Sequence, residues 1–169
     1  MGAHLLVDGY NLALSGALPL SGDPATEAGR QELCGQLADY ARKKGFRLTV
    51  IFDGRGAGRQ ERSRTAFKGG TAHFSSASES ADDVIREMAR SAPAGTVVVT
   101  SDRGLAGTLP SRAVTVVSCT EFAGRLFDFR IETIKGTSDD EAARHRGKKG
   151  EGHKAKKKDR KRESVLRKL

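Results

Sequence analysis

The fold is decided by the stretch LLVDGYN at residues 5–11, where an apolar run meets an acid and a turn. Residues 5–7 form a continuous hydrophobic run, which is the pattern of a strand buried on both faces of a sheet. The segment that follows, DGYN, is typical of a tight turn. The sequence therefore predicts that Asp8 lies at the carboxyl end of the first strand.

The same arrangement recurs further along the chain. The apolar run at residues 48–52 ends at Asp53, and the run at residues 97–99 leads to Asp102. A further apolar run covers residues 114–117. Uninterrupted runs that are rich in β-branched residues favour a parallel sheet with helices on both faces.

Apolar residues at helical spacing predict helices between and after these runs. The first helix is predicted to begin at the pair Asp23-Pro24 and to close at Gly45. The second begins at Ser80, which forms a capping-box pattern with Asp83, and another follows Thr120. Strands that alternate with helices predict an α/β domain with a central, mostly parallel sheet flanked by helices.

Charge divides the chain into two parts. Residues 1–134 carry 16 Lys/Arg and 15 Asp/Glu, whereas residues 135–169 carry 14 Lys/Arg and 6 Asp/Glu. We therefore predict a folded domain over residues 1–134 and a basic tail over residues 135–169, disordered or partly helical, that is too polar to fold alone. Such a tail attracts RNA or ribosomal phosphates by releasing their counterions. The alternative is a solvated tail that only keeps the protein in solution.

Several function classes are excluded by what the sequence lacks. The apolar runs are far shorter than the roughly 20 residues of a membrane helix, so no membrane partner is expected. Cys34 and Cys119 follow no secretory leader pattern, and both are expected to be reduced thiols of a cytoplasmic protein. The histidines show no zinc spacing, and the glycine-rich or nucleophile motifs of NTPases, dinucleotide-binding enzymes and α/β-hydrolases are missing.

Several acids are expected to meet at one edge of the sheet. Ligand sites of open parallel sheets lie outside the carboxyl ends of the strands, where the sequence places Asp8, Asp53 and Asp102. Asp82 and Asp83 lie in the first turn of a helix that is expected to overhang this edge. The capping box explains Asp83 and the following turn explains Asp53, so Asp82 is the preferred ligand. Converging carboxylates need a cation, and oxygen ligands suit Mg²⁺ or Mn²⁺.

Four motifs, in order, resemble those of the NYN/YacP-like endoribonuclease family of the PIN-like nucleases. They are LVDGYN at residues 6–11, FDG at residues 52–54, ESADD at residues 79–83 and TSD at residues 100–102. The resemblance implies a PIN-like fold and a divalent-metal ribonuclease activity that in part of the family acts on mRNA at the ribosome. By motif position it also implies that the metal ligands are Asp8, Asp82 and Asp102.

The resulting prediction is a hydrolase that cuts RNA internally. A divalent metal orients and deprotonates a water and stabilises charge on the phosphate. Asn11, Asp83 or Glu79 is expected to position that water. The loop at residues 55–70 is polar, Gly-rich and basic, and its cations are predicted to contact the phosphates that flank the cut. These cations are Arg55, Arg59, Arg62, Arg64 and Lys68.

The alternative for these basic side chains is a solvated loop without a nucleic-acid partner. Aromatic residues are scarce, at 5% of the chain, which argues against strong sequence readout. Tyr10 and Phe67 are the candidates for stacking on bases.

Two other functions fit parts of this pattern. A non-catalytic RNA- or ribosome-binding module of the same fold would keep the basic residues, but the intact acids argue against it. A phospho-receiver-like signalling domain also gathers acids at strand ends. There, however, a pair of acids is expected after the first strand, and a lysine is expected where this chain has Cys119 and Thr120.

Overall fold

The computed structural model describes residues 3–55 and 60–136, together with Val165. Within these residues strands and helices alternate, beginning with β1 (His4–Asp8), α1 (Gly9–Leu14), α2 (Glu27–Lys44), β2 (Arg47–Phe52), β3 (Ser63–Phe67) and β4 (Gly70–Phe74). They continue with α3 (Ala81–Arg90), β5 (Thr96–Val99), α4 (Arg103–Thr108), β6 (Val114–Val117) and α5 (Cys119–Gly136). The predicted basic tail lies outside the described residues, apart from the end of α5 and Val165.

The strands of the described residues form one sheet in the order β3-β4-β2-β1-β5-β6. β1 pairs in parallel with β2 on one side and with β5 on the other. β4 and β6 extend the parallel pairing outward, whereas β3 runs antiparallel to β4 at one edge. The predicted α/β class with a central, mostly parallel sheet is confirmed.

Helices cover both faces of this sheet, and the alternation of side chains along each strand explains how. Leu5 and Val7 of β1 point into one core, which α2 and α5 cover. Leu6 points into a second core, together with Val98 of β5, and this core is covered by α3 and α4. All four side chains are fully buried, and burial of each such side chain stabilises the fold by roughly 1.5–3 kcal/mol.

The segment after β1 begins a helix and not the predicted tight turn. Asp8 is the N-cap of α1, and its Oδ1 accepts a hydrogen bond from the backbone N–H of Asn11 at 3.3 Å. Gly9 lies so close to β2 that a Cβ atom there would overlap the ring of Phe52. Glycine is therefore required for α1 to start against the sheet, and this close start keeps Asn11 beside Asp8.

The start of α2 also differs from the prediction. The helix begins at Glu27, because the hydroxyl of Thr26 accepts a hydrogen bond from the backbone N–H of Gly29 and caps the first turn. The carboxylate of Asp23 instead accepts a local hydrogen bond two residues along the chain. The predicted end is confirmed, since Gly45 closes α2 in the left-handed conformation, with φ of 74°.

The predicted loop at residues 55–70 contains a strand. β3 pairs with β4 in a hairpin whose turn includes Gly69 at φ of 98°. Because β3 is an edge strand, its residues are exposed or half-buried and lack the apolar pattern of the central strands. β4 begins at Gly70, at the end of the predicted loop. Residues 56–59 lie outside the described part of the chain.

The predicted capping box of α3 is confirmed. The Ser80 hydroxyl accepts from the backbone N–H of Asp83 at 3.2 Å, and Asp83 Oδ2 accepts from the backbone N–H of Ser80 at 3.0 Å. These two reciprocal hydrogen bonds fix the first turn of α3, which contains Asp82. The orientation of Asp82 therefore depends on the cap that precedes it.

The helix expected after Thr120 is confirmed as α5, with Phe122 fully buried against the first core. Cys34 and Cys119 are both buried and free. Across the part of the chain that the structure describes, no helix combines the length and the apolar character that a bilayer crossing requires.

Candidate active site

A cleft of about 450 Å³ opens beside the carboxyl ends of β1, β2 and β5. Its lining includes carboxylates from four separate segments, which are Asp8, Asp53, Asp82 and Asp102. Asn11 of α1 lines the same cleft. The structure thus brings together the three aspartates that the sequence nominates as metal ligands, with Asn11 beside them.

The topology of the sheet explains why the cleft forms at this place. From β1 the chain passes through α1 and α2 to β2 on one side, and it later crosses back through α3 to β5 on the other side. Where connections leave a parallel sheet in opposite directions, a crevice opens at the carboxyl ends of the strands. Asp8 is the last residue of β1, so it lies at the floor of this crevice.

Asp8 is the most deeply buried of the cleft carboxylates, with 6% of its surface exposed. Its Oδ2 accepts a hydrogen bond from the hydroxyl of Thr100 at 3.3 Å, in addition to the bond from Asn11. Burial raises the pKa of Asp8 to about 6, the negative charges of Asp82 and Asp102 add to the rise, and the two hydrogen bonds oppose it. A carboxylate in these surroundings is destabilised until a cation or a proton neutralises it.

We expect Asp8→Asn to stabilise the metal-free protein near neutral pH. A carboxyl whose pKa rises from 3.8 to about 6 on folding binds protons more readily in the folded state. Its contribution to the free energy of unfolding therefore falls as pH rises from about 4 to about 6, and stays low above that range. Because asparagine carries no charge and keeps an acceptor for Asn11, the variant should be more stable by about 3 kcal/mol at neutral pH.

Urea denaturation in the presence of chelator, at acidic and at neutral pH, measures this effect. The two proteins should be nearly equal in stability near pH 3, where Asp8 is mostly protonated in both the folded and the unfolded state, and should diverge as the pH is raised. A stability difference of the same size at both pH values would contradict this account of the Asp8 pKa.

Asp82 lies in the first turn of α3 and lines the cleft from above the sheet edge. Its pKa is raised, first by burial and then by the negative charge of Asp102, while the positive charge of Arg86 opposes the rise. The ion pair with Arg86 is long, at 3.8 Å between Nη2 and Oδ2. The carboxylate of Asp82 therefore keeps oxygen available for a second cation.

Asp102 is the N-cap of α4, because its Oδ1 accepts a hydrogen bond from the backbone N–H of Leu105 at 2.9 Å. Its own backbone N–H donates to the hydroxyl of Thr100 at 3.1 Å. The same hydroxyl donates to Asp8. Thr100 therefore joins the two aspartates, and the negative charge of Asp102 in turn raises the pKa of Asp8.

Asn11 connects α1 to the end of β5. Its side-chain Oδ1 accepts a hydrogen bond from the backbone N–H of Ser101 at 2.8 Å and another from the thiol of Cys119 at 3.1 Å. Since the amide oxygen is engaged in this way, the amide NH₂ of Asn11 is the group that can donate toward a ligand in the cleft.

Asp53 lines the cleft at the end of β2, but an adjacent cation neutralises it. Arg55 forms a two-pronged ion pair with its carboxylate, with a shortest distance of 2.8 Å. Burial alone would raise the pKa of Asp53, yet the hydrogen bonds and charge of Arg55 outweigh that effect and lower it. This pairing distinguishes Asp53 from the unneutralised Asp8 and agrees with a supporting role at the turn.

Asp83 and Glu79 have structural partners and are not among the described residues that line the cleft. The pKa of Asp83 is lowered by its hydrogen bonds with Ser80 and by Arg86, which donates to Oδ1 at 2.8 Å. Arg62 donates two hydrogen bonds of 2.6 Å to Glu79 and lowers its pKa to about 2. Both carboxylates therefore orient the start of α3.

The basic side chains that the sequence nominates for RNA contact have different surroundings. Arg55 and Arg62 are held in ion pairs with carboxylates. Arg64 of β3 and Lys68 of the hairpin turn are exposed to solvent. Arg59 lies outside the described residues. The hairpin thus presents Arg64 and Lys68 most directly to a polyanion.

Two residues of the site were missed by the sequence analysis. Arg86 pairs with Asp82 and Asp83 and donates to the hydroxyl of Thr108 at 3.0 Å. Its i,i+4 spacing from Asp82 on a helix was the available signal. The bridging role of Thr100 has no signal beyond its place at a strand end, because the bridge joins segments that are far apart in the chain.

The chemistry of the cleft fits a hard divalent cation. The donors are carboxylate oxygens of Asp8, Asp82 and Asp102. Their negative charges repel one another, and this repulsion adds to the effect of burial in raising the pKa of Asp8 and of Asp82. Within residues 3–55, 60–136 and Val165, no three His, Cys, Asp or Glu side chains are already spaced to hold a metal ion. The type and charge of the ligands thus fit Mg²⁺ or Mn²⁺, while their spacing is not that of a formed site.

The α/β domain, with this strand order and a carboxylate-lined crevice at the carboxyl edge of its parallel sheet, has the architecture that the PIN-like resemblance of its motifs implies. Comparison with protein families gives the particular branch. The YacP-like NYN domain matches residues 5–169, so the chain belongs to the YacP-like NYN family. Membership implies a ribonuclease type of fold.

Solved structures agree on the fold. The chain is similar to a crystal structure of a single-residue mutant of Rae1 (YacP) from Bacillus subtilis, with 24% identity and a TM-score of 0.61 over 99% of this chain and 92% of that one. It is also similar to a second crystal structure of Rae1 (YacP) from Bacillus subtilis, with 25% identity and a TM-score of 0.55 over 80% of this chain and 83% of that one. A search of curated proteins finds no match.

Proposed function

We propose that this protein is a divalent-metal-dependent endoribonuclease that hydrolyses phosphodiester bonds within RNA. One observation carries the proposal, namely that Asp8, Asp82 and Asp102 line one cleft in which burial and mutual repulsion raise the pKa of Asp8 and of Asp82. Carboxylates in this state favour a bound cation, and carboxylate-held cations serve phosphodiester hydrolysis. The ribonuclease type of fold in the family supports the same conclusion.

Each residue of the cleft has a distinct role in this proposal. Asp8, Asp82 and Asp102 would hold Mg²⁺ or Mn²⁺, which when bound polarises a water and offsets the charge that develops on the phosphate. Asn11 would donate its amide NH₂ to a phosphate oxygen, because its Oδ1 is already engaged. Asp83 would act through α3, since its capping box fixes the turn that carries Asp82.

The proposed partner is RNA, with mRNA on the ribosome as the target that the family resemblance implies. Exposed Arg64 and Lys68 on the β3–β4 hairpin would contact phosphates outside the cleft. The basic residues of segment 135–169 would add affinity without reading sequence. Action on mRNA also entails a cytoplasmic location, which we propose on the same grounds.

Cleavage of RNA is expected to require added Mg²⁺ or Mn²⁺ and to stop when EDTA is present. A hard, oxygen-ligated site of this type is occupied weakly and sits on a scaffold that folds without it, so the circular dichroism spectrum should be unchanged by EDTA. The measurement is the appearance of internal cleavage products from an end-labelled single-stranded RNA, with and without each metal. Asp8→Asn protein, purified in parallel, controls for contaminating nuclease.

The same assay separates the proposal from its alternative. Cleavage that persists in EDTA and is absent from the Asp8→Asn preparation would exclude metal dependence. RNA binding without cleavage under either metal would instead identify a non-catalytic RNA- or ribosome-binding module of the same fold.

A further inference from the structure

A second cavity, of about 490 Å³, lies between α2 and the β3–β4 hairpin. Its apolar wall includes the rings of Phe52, Phe67 and Phe74, of which the last two are half-buried and so present surface to the cavity. Arg30 and Lys68 bring positive charge to the same lining. The proposed chemistry at the acidic cleft uses none of these aromatic side chains.

We propose that this cavity binds one nucleobase of the RNA strand whose phosphate occupies the acidic cleft, an inference that rests on the proposed function. Aromatic rings with neighbouring cations hold single-stranded nucleic acid, because every base has a π-face to stack and every nucleotide carries a phosphate. A cavity with an aromatic wall and cations at its border matches both parts of a nucleotide.

A continuous row of rings joins the two cavities. Tyr10 lines the acidic cleft, and its ring packs edge-on against Phe52 with 5.2 Å between the centroids. Phe52 in turn stacks on Phe74 with 5.4 Å between the centroids, and both of these rings line the second cavity. Phe52 itself is fully buried, so a strand that leaves the acidic cleft past Tyr10 meets Arg30 and the half-buried ring of Phe74 on its way to the second cavity.

Arg30 lines the second cavity and lies between Tyr10, which lines the acidic cleft, and Phe74. Its guanidinium group is 5.7 Å from the centroid of Phe74, and its Nη1 donates to the hydroxyl of Tyr10 at 3.4 Å. This position suits a contact with the phosphate between the bound base and the scissile bond. The opposing charge in the cavity lining is Glu27, which accepts a hydrogen bond from Gln31 at 3.1 Å.

Gly35 allows the cavity to be blocked without disturbing the core. It is an exposed residue of α2 that lines the cavity, and a Cβ atom there would have no neighbour within 4 Å. Replacement of glycine by leucine inside a helix also favours helix formation, so Gly35→Leu should fold at least as well as the natural protein. Gly124→Leu is the matched control, because Gly124 is likewise an exposed helical glycine with no such neighbour and is not among the described residues that line either cavity.

The test uses short single-stranded RNAs that contain one cleavage site and one abasic nucleotide, placed in turn at each position beside the cut. Removal of the base at one position should weaken binding to the natural protein about tenfold, which is the scale of one stacked base. Gly35→Leu should bind the intact RNA about tenfold more weakly and should no longer distinguish it from that abasic RNA. Gly124→Leu should behave as the natural protein does.

Binding by fluorescence anisotropy and cleavage with Mn²⁺ are measured on the same RNAs, so that the two proposals can fail separately. Active cleavage with no base-dependent position, or with Gly35→Leu equal to the natural protein, would overturn the base site and leave the proposed function standing. If the cavity instead binds a protein partner, Gly35→Leu should bind and cleave RNA as the natural protein does. Base-dependent binding that Gly35→Leu abolishes, in a protein that never cleaves, would support the base site and overturn the endonuclease.

Discussion

Replacement of Asp8, Asp82 or Asp102 by asparagine is expected to lower the rate of RNA cleavage by roughly 10³-fold or more. Each substitution removes one negative charge from the cleft whose carboxylates would hold the cation. Because the proposed cation needs all three ligands, loss of any one removes most of its contribution. Double variants should therefore be no slower than the slowest single variant, since groups that act as one unit give effects that do not add.

The folds of these variants should survive, for reasons that the structure supplies. Asp8 and Asp102 are N-caps, of α1 and α4, and asparagine is as good an N-cap as aspartate. Asp82 is half-buried within the first turn of α3, where the cap is provided by Ser80 and Asp83. A loss of cleavage in a variant that melts no lower than the natural protein would therefore report on chemistry.

The matched control is Asp128→Asn, the same substitution at an exposed position of α5. It should leave single-turnover cleavage within about twofold of the natural protein, since surface substitutions away from special features have small effects. The decisive comparison is between Asp82→Asn and Asp83→Asn. If Asp82→Asn retains activity within tenfold of the natural protein at equal thermal stability, its assignment as a ligand fails and passes to Asp83.

The strands of the central sheet could be predicted from sequence because each is a continuous run of apolar residues in the chain. The run at residues 5–7 is buried on both faces, so hydrophobicity alone identifies it, and the run at residues 97–99 is equally continuous. β3 escaped prediction because an edge strand needs no apolar pattern, and its pairing with β4 is decided by the hairpin. Local pattern thus predicts the buried strands and fails at the edge.

The aspartates of the cleft were predictable for a related reason. Asp8 ends a buried strand, Asp102 follows another, and Asp82 lies one residue before a capping aspartate, so their places follow from the elements that carry them. Ion-pair partners cannot be predicted from the neighbouring sequence in this way. Arg62 and Glu79 are separated by 17 residues, and their pairing depends on how the hairpin packs beside α3. Arg62 is therefore engaged by carboxylates where sequence alone assigned it to RNA.

Neutralising four lysines of the basic tail is expected to weaken RNA binding strongly while leaving the chemical step intact. Residues 148–169 carry 11 Lys/Arg and 3 Asp/Glu and lie almost wholly outside the described residues. Substitution is preferable to truncation, because Val165 packs against the first core. We choose glutamine at Lys156, Lys157, Lys158 and Lys161.

Each lost phosphate contact should make the slope of log affinity against log salt less steep by roughly 0.7 for single-stranded RNA. If all four lysines contact phosphates, the slope changes by about 3 and the affinity near physiological salt falls on the order of a hundredfold. The cleft that contains Asp8, Asp82 and Asp102 is built within residues 3–136. The single-turnover rate at saturating protein should therefore stay within about twofold of the natural rate.

The control keeps the charge and changes the side chain, with arginine at the same four positions. Since counterion release depends on charge, this variant should keep the natural slope, whereas the glutamine variant should not. Binding titrations across several salt concentrations, together with single-turnover rates, decide between the roles. An unchanged slope for the glutamine variant would show that the tail does not hold RNA. A collapsed single-turnover rate would mean that the tail reaches into the cleft, because loss of affinity alone cannot slow a reaction that starts from fully bound RNA.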